Sequence, residues 1–317
     1  MSFNAGLALS LALLSMLFAA DSLAQKRIAI TIDDVPAQSS TSISVEEAAQ
    51  INRNMLAVLK RRGVKAVGFV NENLLLVPGK IDQGVQILDD WLVAGMELGN
   101  HSFGHVGMWG TPLAQVQDAV VKGDVLTRWV SARRRSPVRY YRHPYTQTGK
   151  DEEERQSFEA FLATRGYAVA PFTIEHDDYV YACVYDKLAL SARRELQAKV
   201  VSEYDEHLRQ AVGTFESMSA QLFGRQIPQV LLIHATRLTA ATLERTLATL
   251  GELGYEFVTL EEALRDEAYR SPAAASGRFG PSWIARWARY RGVKLSAYGQ
   301  ADPAGETAGL HKQLCGS

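Results

Sequence analysis

Two hydrophobic rhythms alternate along this chain. Short, mainly apolar runs recur at 27–32, 64–70, 96–99, 138–141, 167–170, 230–233 and 255–258, and each predicts a strand, the β-branched first run a buried one. Between them, apolar residues three and four apart predict amphipathic helices. The first spans 44–62, with Ile51, Met55, Val58 and Leu59 on one face and Gly63 to stop it. Others are predicted at 81–94, closed by Gly95, and at 112–132, with proline in the first turn. Further helices are predicted at 151–165, over a long stretch 187–223, and at 239–253 and 260–268. Strand–helix alternation over this length predicts an α/β fold of mostly parallel strands with outer helices, closed or nearly closed as a distorted (β/α) barrel. An open doubly wound sheet is the alternative, and no repeat of fixed period is present.

In either architecture the C-terminal strand ends converge on one face, where active sites form. Asp33, His101, Arg142 and His234 each fall at or just past a predicted strand end. Residues distant in sequence should therefore become neighbours.

The two ends of the chain read differently. Residues 7–20 are an apolar run followed by Ser22-Leu23-Ala24, which predicts a signal peptide over 1–24 and a mature chain from Gln25, although no Lys or Arg precedes the run. The run is too short for a bilayer-spanning helix, so export to the periplasm or medium is expected rather than membrane insertion. The body is assigned to 25–270. Residues 271–317 form a looser C-terminal extension, with Trp283, Ile284 and Trp287 expected to pack back onto the body.

The 317 residues are 47% hydrophobic and 22% charged, enough for one sizeable core, and a single barrel can account for them. A net charge of -1 gives no reason to expect a nucleic-acid partner. Two cysteines, Cys183 and Cys315, are too few for a disulfide scaffold, and whether they pair is open.

Five short segments carry candidate chemistry: Thr31-Ile32-Asp33-Asp34, His101-Ser102-Phe103-Gly104-His105, Arg142-His143-Pro144-Tyr145, Glu175-His176-Asp177-Asp178-Tyr179 and Leu231-Leu232-Ile233-His234. His101 and His105 are four apart, so a helical turn would aim both imidazoles at one cation. Asp34 is the carboxylate to complete the set, leaving positions for water and substrate. An Asp pair after a strand can also be an Asx turn or a helix cap, and a lone histidine such as His234 is often a packed core residue. His176 reads as a surface residue. Trp109 either lines a cleft or caps the core. The arginines at 133–135 and the acids at 151–154 complement helix dipoles.

The order and strand-end placement of these segments resemble the polysaccharide deacetylase family, the NodB-homology deacetylases of carbohydrate esterase family four. The resemblance implies a NodB-type barrel and a metal-dependent hydrolase removing an acyl group, N-acetyl above all, from a carbohydrate. It implies a divalent ion, zinc by expectation, on Asp34, His101 and His105, with Asp33 as the base that takes a proton from the attacking water. It further implies His234 as the acid supported by Asp178, Arg142 as the partner of the base, and a main-chain N–H of Tyr145 for the oxyanion. Two departures mark a less typical branch. Val35-Pro36 follows the Asp pair where the family has Gly, and Glu175 and Tyr179 stand where the family has Asp and Trp, which would keep the charge and an aromatic wall. A deformylase or amidase on a lipid-linked or non-sugar substrate, and a degenerate exported glycan-binding protein, are the alternatives.

Overall fold

The computed structural model describes residues 25–278 and 280–316. Seven strands form one parallel sheet: β1 (Lys26–Val35), β2 (Ala66–Val70), β3 (Glu97–Asn100), β4 (Tyr140–Tyr141), β5 (Ala168–Val169), β6 (Gln229–His234) and β7 (Tyr255–Phe257). Their order is β5-β4-β3-β2-β1-β6, with β7 on the first residues of β1. The gap between β5 and β6 is spanned by a single parallel bridge, Ile174 to Leu231. The sheet is thus a half-barrel wrapped by helices, the distorted (β/α) form expected, and not an open doubly wound sheet.

Among the described residues eleven α-helices surround it: α1 (Val45–Arg62), α2 (Ile81–Val93), α3 (Leu113–Lys122), α4 (Val125–Arg134), α5 (Glu152–Thr164), α6 (Asp178–Leu190), α7 (Arg194–Phe223), α8 (Arg237–Glu252), α9 (Leu260–Leu264), α10 (Trp283–Arg291) and α11 (Gly305–Leu314). Local chemistry explains their ends. The Ser44 hydroxyl accepts from the Glu47 amide to start α1, and Gly63, at φ 66°, stops it in the left-handed region that glycine enters without cost. Ile51, Met55 and Leu59 of α1 pack with Ile28, Ile30 and Ile32 of β1 in the main apolar core. Trp91 of α2 is fully buried against Gly68 of β2, where an added Cβ would lie 2.8 Å from the indole.

Two predicted helices are each broken in two. The stretch 112–132 is interrupted at Gly123-Asp124, because the Asp124 carboxylate turns inward to accept from Asn100 Nδ2 at 3.0 Å and from the Tyr167 hydroxyl. The stretch 187–223 contains the end of α6, a turn with Ala192 at φ 53°, and α7. No Gly or Pro marks that second break, so the apolar spacing ran through it. Trp283, Ile284 and Trp287 of α10 are buried in the main core, and Cys183 of α6 is disulfide-bonded to Cys315 beyond α11. Among the described residues no helix is long and apolar enough to cross a membrane. The predicted signal peptide, residues 1–24, lies outside the described residues.

Candidate active site

β1 does not stop at residue 32 as the apolar run suggested; it continues through Asp33 and Asp34 to Val35. In a regular strand, neighbouring side chains point to opposite faces. Here the register with β2 slips between Ile32 and Val35, and Asp34 takes φ 60°. This bulge undoes the alternation, so both carboxylates line one cleft of about 750 Å³. Asn52 of α1 holds the chain just beyond, donating to the Pro36 carbonyl at 2.5 Å.

His101 and His105 face one cation position, but not from a helical turn. They flank a loop in which Ser102, Gly104 and His105 have φ 64°, 75° and 55°. Two asparagines hold it: Asn100 Oδ1 accepts from the Ser102 amide at 2.7 Å, and Asn71 Oδ1 from the Gly104 amide at 2.9 Å. Each histidine Nε2 lies 3.8 Å from Asp34 Oδ1, and the three ligand atoms all fall within 4.8 Å of one another. Among the described residues this is the one cluster of three such groups.

The donor set fits a divalent ion. His101 Nδ1 donates to the Arg142 carbonyl at 2.9 Å, which leaves its Nε2 lone pair facing Asp34. Burial pulls both imidazole pKa values down, that of His105 to about 4 with repulsion from His234 adding to it, so both are neutral donors at neutral pH. Burial also raises Asp34, the pull of His101 and His234 only partly opposing it, and a cation would satisfy that carboxylate.

Asp33 lies beside this cluster, 3.9 Å from His101 Nε2. Arg142 Nη1 stands 3.4 Å from both its oxygens. Arg142 is wholly buried and tied down elsewhere: Nε donates to Ala170 O at 2.8 Å and Nη2 to Thr31 Oγ1 at 3.0 Å, with the guanidinium 4.8 Å from the Phe69 ring centre. It is a fixed positive neighbour of Asp33.

His234 ends β6, opposite Asp33 in the β1 register. Asp178, the first residue of α6, accepts from the His234 amide at 2.7 Å and pairs with its Nδ1 at 2.8 Å. Burial alone would lower the His234 pKa; Asp178, helped by Asp34 and Asp33, overcomes it and lifts it to about 10. The neighbouring Asp177 is turned away, at φ 52°, toward Gln300 (2.8 Å) and His207 (3.5 Å).

The rest of this segment departs from expectation. His176 is not a surface residue but is fully buried against Tyr204, and among the described residues neither ring nitrogen has a hydrogen-bond partner. Glu175 does not keep a charge: burial, then Asp177, raises its pKa to about 8, so at neutral pH it lines the cleft as an acid. Tyr179, Trp109 and Tyr145 are exposed and form cleft walls, with the Tyr145 ring 4.3 Å from that of His105.

Several positioning groups carried no motif: Asn52, Asn71, Asp124 and, from α10, Arg286. Asn100 was marked, since Gly99-Asn100 and Ser102 around His101 match the family pattern. Arg286 had no such mark.

Fold and site together define a parallel half-barrel whose strand-end face gathers an Asp–His–His cluster, a second buried aspartate and a carboxylate–imidazole pair. Residues 20–159 match the family model for polysaccharide deacetylase, a stretch that contains the Asp pair, the His pair and Arg142. No curated protein matches the chain in sequence. Among solved structures it is similar to a CE4 family pseudoenzyme from Bacillus anthracis, at 19% identity and TM-score 0.50, covering 77% of this chain and 67% of that one. It is similar to a mutant of that pseudoenzyme with restored enzymatic activity, at 20% identity and TM-score 0.51, covering 77% and 69%. A mutant peptidoglycan deacetylase from Bacillus subtilis is 18% identical with TM-score 0.49, covering 76% and 93%. At these identities the first two likenesses bear on the fold alone.

Proposed function

We propose that this protein is a metal-dependent hydrolase that removes an N-acetyl group from a carbohydrate. The observation that carries this reading is that the Asp34–His101–His105 donor set, Asp33 and the Asp178–His234 pair all open on one cleft. Asp34, His101 and His105 would hold a divalent ion, zinc suiting two imidazoles and a carboxylate, which would supply Lewis-acid polarisation of the acyl oxygen and a lowered pKa for water. Asp33 takes the proton of the attacking water. Arg142, fixed by Ala170 and Thr31, keeps that carboxylate oriented. The Tyr145 main-chain N–H faces the developing oxyanion. His234, protonated through its pairing with Asp178, gives its proton to the departing nitrogen. Trp109, Tyr145 and Tyr179 offer flat apolar faces to a sugar ring.

Residues 1–24 are proposed as a cleaved export leader, 25–270 as the deacetylase body and 271–317 as an extension of it. N-terminal sequencing of the exported protein should begin at Gln25. The functional test is acetate and formate release from a panel of acylated glycans by metal-reconstituted protein. Acetate from an N-acetylated glycan is expected. Formate alone would make the protein a deformylase, and retained glycan binding without any release would make it a binder.

A further inference from the structure

The C-terminal extension does more than cover the core. Arg286 of α10 is fully buried, and its guanidinium spans three acceptors: Nη2 to Thr146 O at 2.6 Å, Nη1 to Thr148 Oγ1 at 3.1 Å and Nε to Pro281 O at 2.7 Å. Its carbon lies 3.9 Å from the Trp283 ring centre. Thr146 and Thr148 belong to the loop that carries Tyr145, and this loop is strained: Tyr145 and Thr146 have φ 52° and 55° in succession. Two consecutive non-glycine residues in the left-handed region persist only where surroundings over-determine them.

The surroundings here come from the extension. Thr146 Oγ1 donates to Gly280 O at 2.6 Å, Gln147 Nε2 to Arg278 O at 2.9 Å, and the Thr148 amide to Ser276 Oγ at 2.8 Å. Gly280 sits so close that a Cβ there would fall 2.0 Å from Thr146 Oγ1. The same helix is pinned on its other side, the Trp283 amide to Phe172 O at 3.0 Å and Ser282 Oγ to Thr173 O at 2.7 Å, just ahead of Glu175 and Asp178.

We propose that Arg286 is a positioning residue that holds the Tyr145 loop in its strained conformation and in register with the acid side of the cleft. The planar fork of arginine can reach two carbonyls and a hydroxyl at once; a lysine ammonium is a single point on a flexible stem. The kinetic half of this proposal rests on the deacetylase reading, in which the Tyr145 amide faces the oxyanion.

The test uses the full chain carrying Arg286→Met, Arg286→Lys or Gly280→Ala. Hydrogen exchange of the amides at 145–149 is expected to speed up about tenfold or more in Arg286→Met while those of β1 stay as they are. With metal restored, kcat should fall about a hundredfold and KM should hold, since the loss is of alignment in the transition state. Arg286→Lys should recover part of kcat. Gly280→Ala, whose added Cβ would collide with Thr146 of the same loop, should reproduce the exchange and kcat changes, and it carries the test if Arg286→Met does not fold. Unchanged loop exchange, or a lower Tm with wild-type kcat, overturns the proposal. Exchange is read without turnover, so absence of acyl release by the wild-type protein would sink the functional reading while faster loop exchange in the variants still supports Arg286 as the loop's anchor.

Discussion

The two sides of the cleft are built differently. On the metal side, Asp33, Asp34, His101, His105 and Arg142 sit in short segments at the ends of β1, β3 and β4, and the groups that orient them (Thr31, Asn52, Asn71, Asn100) come from the same first part of the chain, apart from the Ala170 carbonyl that holds Arg142. On the acid side, His234 of β6 depends on Asp178 at the start of α6, and the neighbouring loop depends on Arg286 from α10, 140 residues beyond its acceptor Thr146. The family model covers the first side and stops at residue 159, short of Asp178, His234 and Arg286. A metal cluster needs a few donors in tight, local geometry, which a motif can encode. An acid needs a tuned environment, which here is assembled by packing between remote elements.

The comparison can be broken most sharply at the metal. His101→Ala and His105→Ala should each take metal content from about one ion per chain to near none and abolish turnover. Elemental analysis of the purified variants checks this, and full occupancy in both would show the ligand set to be wrong. Next in size is Asp33→Asn, which should keep the ion while losing on the order of a hundredfold in kcat, because its part is proton transfer. Loss of metal in this variant, with full activity per bound ion, would exchange the roles of Asp33 and Asp34.

The acid side should respond through pH rather than through metal. His234 must be protonated to act, and its pKa is lifted to about 10 against the opposing effect of burial, chiefly by Asp178. The rate should therefore fall on the alkaline side as that proton is lost. Asp178→Asn removes the stabilising charge, lowers the imidazole pKa and should move the alkaline limb toward lower pH with metal content unchanged. A limb that stays put would separate Asp178 from the acid. The smallest effect is expected from Asp177→Asn, whose carboxylate faces Gln300 and His207; a pH–rate profile close to wild type is the result that fits.

Much of the fold was legible. The seven apolar runs are the seven strands, because a parallel sheet buried on both faces demands continuous apolar sequence. The helix breaks at Gly123-Asp124 and at 191–193 were not, since one serves a buried hydrogen-bond network and the other carries no breaking residue. The site was legible as a set of residue types at strand ends, yet its geometry was not. The His pair was placed on a helix when a left-handed loop carries it, and His176 was placed at the surface when it is fully buried.

The sequence by itself determined which residues stand at strand ends, because apolar periodicity is a local property and parallel topology sends those ends to one face. Only the tertiary structure decided how they act. The bulge that turns Asp33 and Asp34 into one cleft depends on slipped register with β2, and the distance at which Asp178 meets His234 depends on where α6 starts against β6. The neutral Glu175 depends on burial, and the seat of the Tyr145 loop on a helix near the other end of the chain. Register, burial and long-range hydrogen bonds are relations between segments, and no stretch of sequence contains them.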